Sequence, residues 1–189
     1  AVIVAIAAIL LYKLCIIGKK EKKVKKQAYT DELTGKGNRY LFYSDLDKLI
    51  EQNKSVAVCF MDLDGFKQVN DTLGHDIGDE LLKAMAQKFD ESLPKNASAY
   101  RLGGDEFAII ISQVNSKEEV VMILDDLKAN MNKPIVIENN TISIEYSMGV
   151  VLNTDDKNYT RKDLVNYADN AMYYIKEHGG NDYYFHNQS

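Results

Sequence analysis

The sequence predicts a compact α/β domain set behind an apolar N-terminal segment, and three observations predict it. Short apolar runs of strand length, at residues 55–61 (SVAVCFM) and 107–111 (FAIII), alternate with stretches whose apolar residues recur on one helical face. Two adjacent glycines, Gly103 and Gly104, separate two β-rich segments, as a hairpin turn requires. Residues 1–17 (AVIVAIAAILLYKLCII) are apolar except for Lys13, and the character of the chain changes completely after Thr30.

The N-terminal run is slightly shorter than the roughly 20 apolar residues of a full span. It reads as the end of a transmembrane helix over 1–18, with Lys13 able to reach the headgroups. Lys19, Lys20, Lys22, Lys23, Lys25 and Lys26 follow at once, the order expected of a cytoplasmic flank. A signal peptide would carry its charges before the apolar part; a packed helix is the remaining alternative. Residues 19–30 then form a basic juxtamembrane connector, in contact with anionic lipid or simply solvated. This organisation predicts a protein of the inner (cell) membrane with the domain of residues 31–189 in the cytoplasm.

Within that domain, residues 38–53 predict an amphipathic helix and 55–61 a buried central strand. Residues 76–92 place Ile77, Leu81, Met85, Ala86 and Phe89 on one helical face. Residues 99–102 and 106–112 form the hairpin around the two glycines. Ser116 with Glu119 predicts a capping box opening a helix over 117–131. Asn139-Asn140 separates the arms of a second hairpin. Thr160 caps a last helix to about His178, with Leu164, Ala168, Ala171, Met172 and Ile175 inward, and residues 183–185 add a final strand.

The net charge of −5 argues against a nucleic-acid groove. Cysteine usage, Cys15 and Cys59 only, fits a reducing compartment rather than a disulfide framework. His75, His178 and His186 are too scattered for a zinc site. Neither a Walker A loop nor a dinucleotide fingerprint is present.

Three groups of residues carry chemistry. Asp62 and Asp64 end the central strand and, two apart, point to one side; acids at a strand's carboxyl end suit a hard cation such as Mg²⁺, with the Leu63 carbonyl as an added ligand. Taken alone, they serve as well to end a strand and cap a helix. Asp105 and Glu106 follow the glycine pair and enter a very apolar strand, where a charge is costly unless paired or metal-bound. If the hairpin lies beside the central strand, these acids converge with Asp62 in the layout of a two-metal phosphoryl or nucleotidyl transfer site; otherwise the hairpin has a solvated tip. Asn70, Asp71, His75 and Asp79 form the third group, in which an amide and a carboxylate could read a guanine edge.

Together these segments closely resemble the GGDEF family of diguanylate cyclases over about residues 30–186. The matching motifs are Asp31-Glu32-Leu33-Thr34-Gly35 with Asn38-Arg39, then MDLDGFKQVNDTLGHDIGDELL, RLGGDEF, Ser147-Met148-Gly149, and Tyr167-Ala168-Asp169 leading to Lys176. The resemblance implies a five-stranded, mainly antiparallel sheet flanked by helices, similar to the polymerase palm and class III nucleotidyl cyclases. It implies a homodimer in which each half site holds one GTP and each 3′-hydroxyl attacks the opposite α-phosphorus, giving cyclic di-GMP and two pyrophosphates. Carried over by motif, Asp62, the Leu63 carbonyl, Asp105 and Glu106 are metal positions for two Mg²⁺ per half site, with Mn²⁺ as an alternative. Asp105 also matches the proposed proton acceptor. Asn70, His75 and Asp79 match the guanine side, with Phe66 beside them; Lys67 and Lys176 match the phosphate-facing positions.

Three departures stand out. Pro94-Lys95-Asn96-Ala97 occupies the place of the Arg-x-x-Asp product site, so no inhibitory site is expected. Gly180 replaces an arginine of the C-terminal motif, and Lys36-Gly37 replace residues more often apolar and small. The rival readings are a degenerate domain that binds GTP and signals without catalysis, a cyclase of relaxed base choice, and a dimerisation module with a vestigial pocket. Regulation is expected through assembly, driven by a sensor domain the sequence does not reveal, with weak dimerisation of residues 30–189 alone.

Overall fold

The computed structural model describes residues 28–154 and 159–186. In chain order these form β1 (Gly37–Asn38), α1 (Arg39–Glu51), β2 (Val56–Asp64), α2 (Phe66–Leu73), α3 (His75–Ser92), β3 (Ala97–Gly103), β4 (Glu106–Ser112), α4 (Lys117–Met131), β5 (Ile135–Ile137), β6 (Asn140–Ile142), β7 (Glu145–Asn153), α5 (Arg161–Glu177) and β8 (Asp182–Phe185). The predicted membrane-helix end and most of the lysine-rich connector lie outside the described residues. Among the described residues no helix is long and apolar enough to cross a membrane.

The main sheet has six strands in the order β1-β3-β4-β2-β7-β8, which corrects the expectation of five. Its four inner strands are antiparallel, while β1 and β8 join the edges in parallel. The two-residue β1 carries too little periodicity to be read from sequence. A separate two-stranded sheet pairs β5 with β6, the second hairpin expected around Asn139-Asn140.

Strand β2 is buried on both faces, as its unbroken apolar run demands. Ala57, Cys59, Met61 and Leu63 pack with Leu81, Met85 and Phe89 of α3 and Leu124 and Leu127 of α4. Val56, Val58 and Phe60 pack on the other face with Phe42 and Leu46 of α1 and Leu164 and Ala168 of α5. The sheet is therefore sandwiched between α3–α4 and α1–α5. Burial pushes the Cys59 thiol up to about 12, which makes it a packing residue and not a nucleophile.

The helix caps follow the sequence with one adjustment. Thr160 and Asp163 form the full reciprocal box at α5. At α4, Ser116 accepts from the Glu119 N–H, but the Glu119 carboxylate returns to the Asn115 N–H at 2.9 Å, one residue further out. Gly149 on β7 faces α5 so closely that a Cβ there would stand 2.0 Å from the Ala168 carbonyl oxygen and 2.1 Å from the Met172 nitrogen. This contact lets α5 lie directly on the sheet and sets the reach of its last turn.

Candidate active site

Strand pairing places the acids. Asp62 stands opposite Glu106 in the β2–β4 register, so the end of the central strand meets the start of the strand after the glycine turn. Asp105 lies at that turn and feels the Asp62 charge. Asp62 and Asp64 both lie on the α5 face, as their two-residue spacing requires. Lys176, in the last turn of α5, places Nζ 2.6 Å from Asp62 Oδ1. Asp64 accepts from Ser147 Oγ at 2.9 Å through one carboxylate oxygen and 3.1 Å through the other.

The electrostatics follow from crowding. Burial, followed by the neighbouring Asp62 carboxylate, raises the Asp105 carboxyl above its ordinary value; its own backbone N–H, Lys176 and Arg101 offset part of this. The bond to Asp62 raises the Lys176 ammonium, which is attracted also by Asp64 and Asp105, against a smaller opposing effect of burial. Lys176 is thus a single cation facing three carboxylates.

The acids do not stand alone. Glu106 pairs with Arg39 at 3.3 Å. Arg101 donates Nε and Nη2 to the Gly104 carbonyl, at 3.0 and 2.8 Å, and Nη1 to both oxygens of Asp31 at 3.1 Å. Burial tends to raise the Asp31 carboxyl, but bonds from Thr34 and Arg101 outweigh it and hold the group below its usual value.

The predicted base-side residues form a second group on the α2–α3 hairpin, entered from β2 through Gly65. Phe66 and Asn70 lie one turn apart on α2, and His75 and Asp79 one turn apart on α3. Asn70 Oδ1 fills the place a side chain at Gly78 would need, since a Cβ there would fall 1.9 Å from it. Phe66 is buried in the same contact, whereas His75, Asp79 and Lys67 are exposed. Asp79 also lines a groove of about 680 Å³ against β5. Among the described residues no hydrogen bond or ion pair joins this group to the acids; they share only the end of β2.

The donors near the turn are hard oxygens, the class that suits Mg²⁺ or Mn²⁺. Among the described residues, however, no three acid, histidine or cysteine side chains stand together as a ready-made cage. The fit is one of donor type: two crowded carboxylates, Asp62 and Asp105, share a lysine as counter-charge. Leu63 could offer only its backbone carbonyl, because its side chain is buried in the core.

Comparison with known proteins identifies the family. Residues 28–182 match the family model described as "Diguanylate cyclase, GGDEF domain". The chain belongs to the GGDEF family. It is 36% identical to diguanylate cyclase DgcN of Escherichia coli, over 83% of this chain and 39% of that protein. It is 34% identical to signaling protein YkoW of Bacillus subtilis, over 90% of this chain and 22% of that protein. The chain therefore spans well under half the length of these curated relatives. Among solved structures, the isolated GGDEF domain of TpbB (YfiN) from Pseudomonas aeruginosa superposes with a TM-score of 0.77 at 32% identity, covering 84% of this chain and 95% of that one.

In this GGDEF domain, sequence reasoning by residue type did not give Asp31, Arg39 or Arg101 a role at the turn. The available signal was the arginine immediately before the Leu102-Gly103-Gly104 segment; its use depends on a long-range partner 70 residues away. Gly180 also has a local reason. Its φ is +63°, and a Cβ there would stand 2.8 Å from Asp64 Oδ2. An arginine at this position would require the Asp64–Ser147 contact to move.

Proposed function

We propose that this domain is a diguanylate cyclase, condensing two GTP into cyclic di-GMP with release of two pyrophosphates across a homodimer of half sites. The observation that carries the reading is the meeting of Asp62, Asp105 and Lys176 beside the glycine turn: paired acids and an ammonium at the end of the central strand. Relatives named as diguanylate cyclases support the same activity.

In this reading the bases of the two GTP molecules are read by Asn70, His75 and Asp79, with Phe66 packing the hairpin that holds them. Lys67 and Lys176 neutralise triphosphate charge as the α-phosphorus is attacked. Asp105 accepts the proton of the 3′-hydroxyl, a task its raised carboxyl favours. Asp62, the Leu63 carbonyl, Asp105 and Glu106 would hold two divalent cations, which when bound supply charge neutralisation and acidify the attacking hydroxyl. Lys176 must leave Asp62 for that to happen.

We further propose that residues 1–18 end a membrane helix, that 19–30 are its basic flank, and that residues 31–189 act at the cytoplasmic side of the inner membrane under a sensor domain. No nucleic acid is a partner. The test is incubation of the full chain with GTP and Mg²⁺ and analysis of the product by mass spectrometry. Cyclic di-GMP and pyrophosphate are expected, and Asp105→Ala is expected to form neither. A dimer that binds GTP without forming product would favour the second reading, a degenerate GGDEF domain, which Gly180 and the occupied Asp62 carboxylate support.

A further inference from the structure

The glycine turn has little stiffness of its own. Gly103 and Gly104 both have positive φ, 146° and 56°. The β3–β4 register shifts between Arg101 and Gly103, so the ladder is interrupted where the turn begins. Backbone carbonyls at such a break need partners from elsewhere.

Two guanidinium groups supply them, one from each side. Arg39, the first residue of α1, donates Nε to the Leu102 carbonyl at 3.0 Å and Nη2 to Glu106. Arg101 donates twice to the Gly104 carbonyl and twice to Asp31. Asp31 is itself fixed: Oδ1 accepts from the Thr34 N–H at 2.9 Å and the Thr34 hydroxyl at 2.7 Å, and its N–H donates to the Lys36 carbonyl at 2.8 Å. The side chains of Arg101 and Asp31 are only 13% and 23% exposed, so solvent competes weakly for these bonds.

We propose that Arg101, clamped by Asp31, and Arg39 are positioning residues of the reaction: they brace the Leu102 and Gly104 carbonyls and thereby aim the Asp105 carboxylate at Asp62. The proposal rests on the cyclase reading for its kinetic consequence, but the brace itself is a property of the folded chain. Geometry, not charge, does the bracing. Arg101 uses three nitrogens of a planar fork to span Asp31 and the Gly104 carbonyl at once. A lysine keeps the charge but offers one nitrogen and cannot span both.

The decisive variant is Arg101→Lys, studied beside Asp31→Asn in the full chain. Misplacement of an acid by a fraction of an ångström to an ångström lowers kcat by on the order of 10²-fold, while KM for GTP stays close to wild type because the base-side residues are untouched. Amide hydrogen exchange at 103–106 is expected to quicken in both variants while amides at 108–111 keep their protection. Asp31→Asn/Arg101→Lys together should be little worse than Arg101→Lys alone, the non-additivity of a shared network. Wild-type kcat in Arg101→Lys, or a loss carried by KM alone, overturns the brace. If the wild-type chain forms no cyclic di-GMP, the cyclase reading falls by itself, and exchange decides the brace: unchanged protection at 103–106 in Arg101→Lys refutes it, and selective loss there sustains it.

Discussion

The ammonium of Lys176 lies 2.6 Å from Asp62 Oδ1 across a separation of 114 residues. Gly149 makes this contact possible by letting α5 settle on β7, and α5 then carries Lys176 over the end of β2. The lysine acts as a counter-ion within the acidic group, so anything that gathers cations at Asp62 must compete with it.

That competition predicts opposite effects of one substitution. Lys176→Met removes an ammonium that competes with cations at Asp62 and, in the cyclase reading, a charge that would face the triphosphate. The pair is partly solvated, so its strength is on the order of 1 kcal/mol, or a few-fold in affinity. Titration calorimetry should find Mn²⁺ binding tighter in the variant without nucleotide and GTP binding weaker. Weakening of both would show that Lys176 does not compete at Asp62.

Asp105 predicts a pH dependence of known sign. Burial, then Asp62, raises its folded-state value above the unfolded one. The folded chain therefore holds the proton more tightly, and the group's contribution to stability falls as pH rises from the unfolded value through the folded one. Without divalent cations, ionising Asp105 in the folded chain puts a charge in a place that disfavours it. Asp105→Asn should accordingly raise the melting temperature at pH 7 in chelator, with the gain vanishing below about pH 4, where the wild-type acid is protonated in both states. An equal gain at both pH values would exclude an electrostatic origin.

The central strand and the hairpin were legible because apolar runs and a glycine pair are local signals. Opposing Asp62 and Glu106 required only that these two elements be neighbours, which the sequence suggested but could not fix. The turn's supports were not legible, since Arg39 and Arg101 act through carbonyls of residues chosen by tertiary geometry. Asp64 illustrates the same limit. Strand alternation put it on the side of Asp62, but its engagement by Ser147 depends on β7 lying beside β2. The sixth strand was missed because two residues, Gly37 and Asn38, pair in parallel with β3 without any pattern of their own.

Gly149 predicts a packing defect. A methyl group there would meet backbone atoms of Ala168, Ala171 and Met172, none of which can rotate away. Overpacking of this kind costs about 3 kcal/mol or more. Gly149→Ala should shift the urea midpoint down with little change in slope. A variant as stable as wild type would mean that α5 can rise from the sheet without loss.

The loop before β3 predicts insensitivity to product. Pro94 and Ala97 occupy positions where the family motif has an arginine and an aspartate, and neither side chain offers a charge or a hydrogen bond. The one side chain of the loop that bonds inward is used for structure: Asn96 donates to the Ser112 carbonyl at 2.9 Å, and the Ser112 hydroxyl returns a bond to the Asn96 carbonyl at 3.1 Å. Lys95 remains as a single exposed cation, and one solvated lysine supplies no bidentate grip on a phosphodiester or a guanine edge. Initial rates of GTP turnover should therefore be unchanged when cyclic di-GMP is added at a concentration equal to that of GTP, in wild type and in Lys95→Ala alike. Inhibition relieved by Lys95→Ala would place a product site at this loop after all, built from chemistry other than the arginine–aspartate pair.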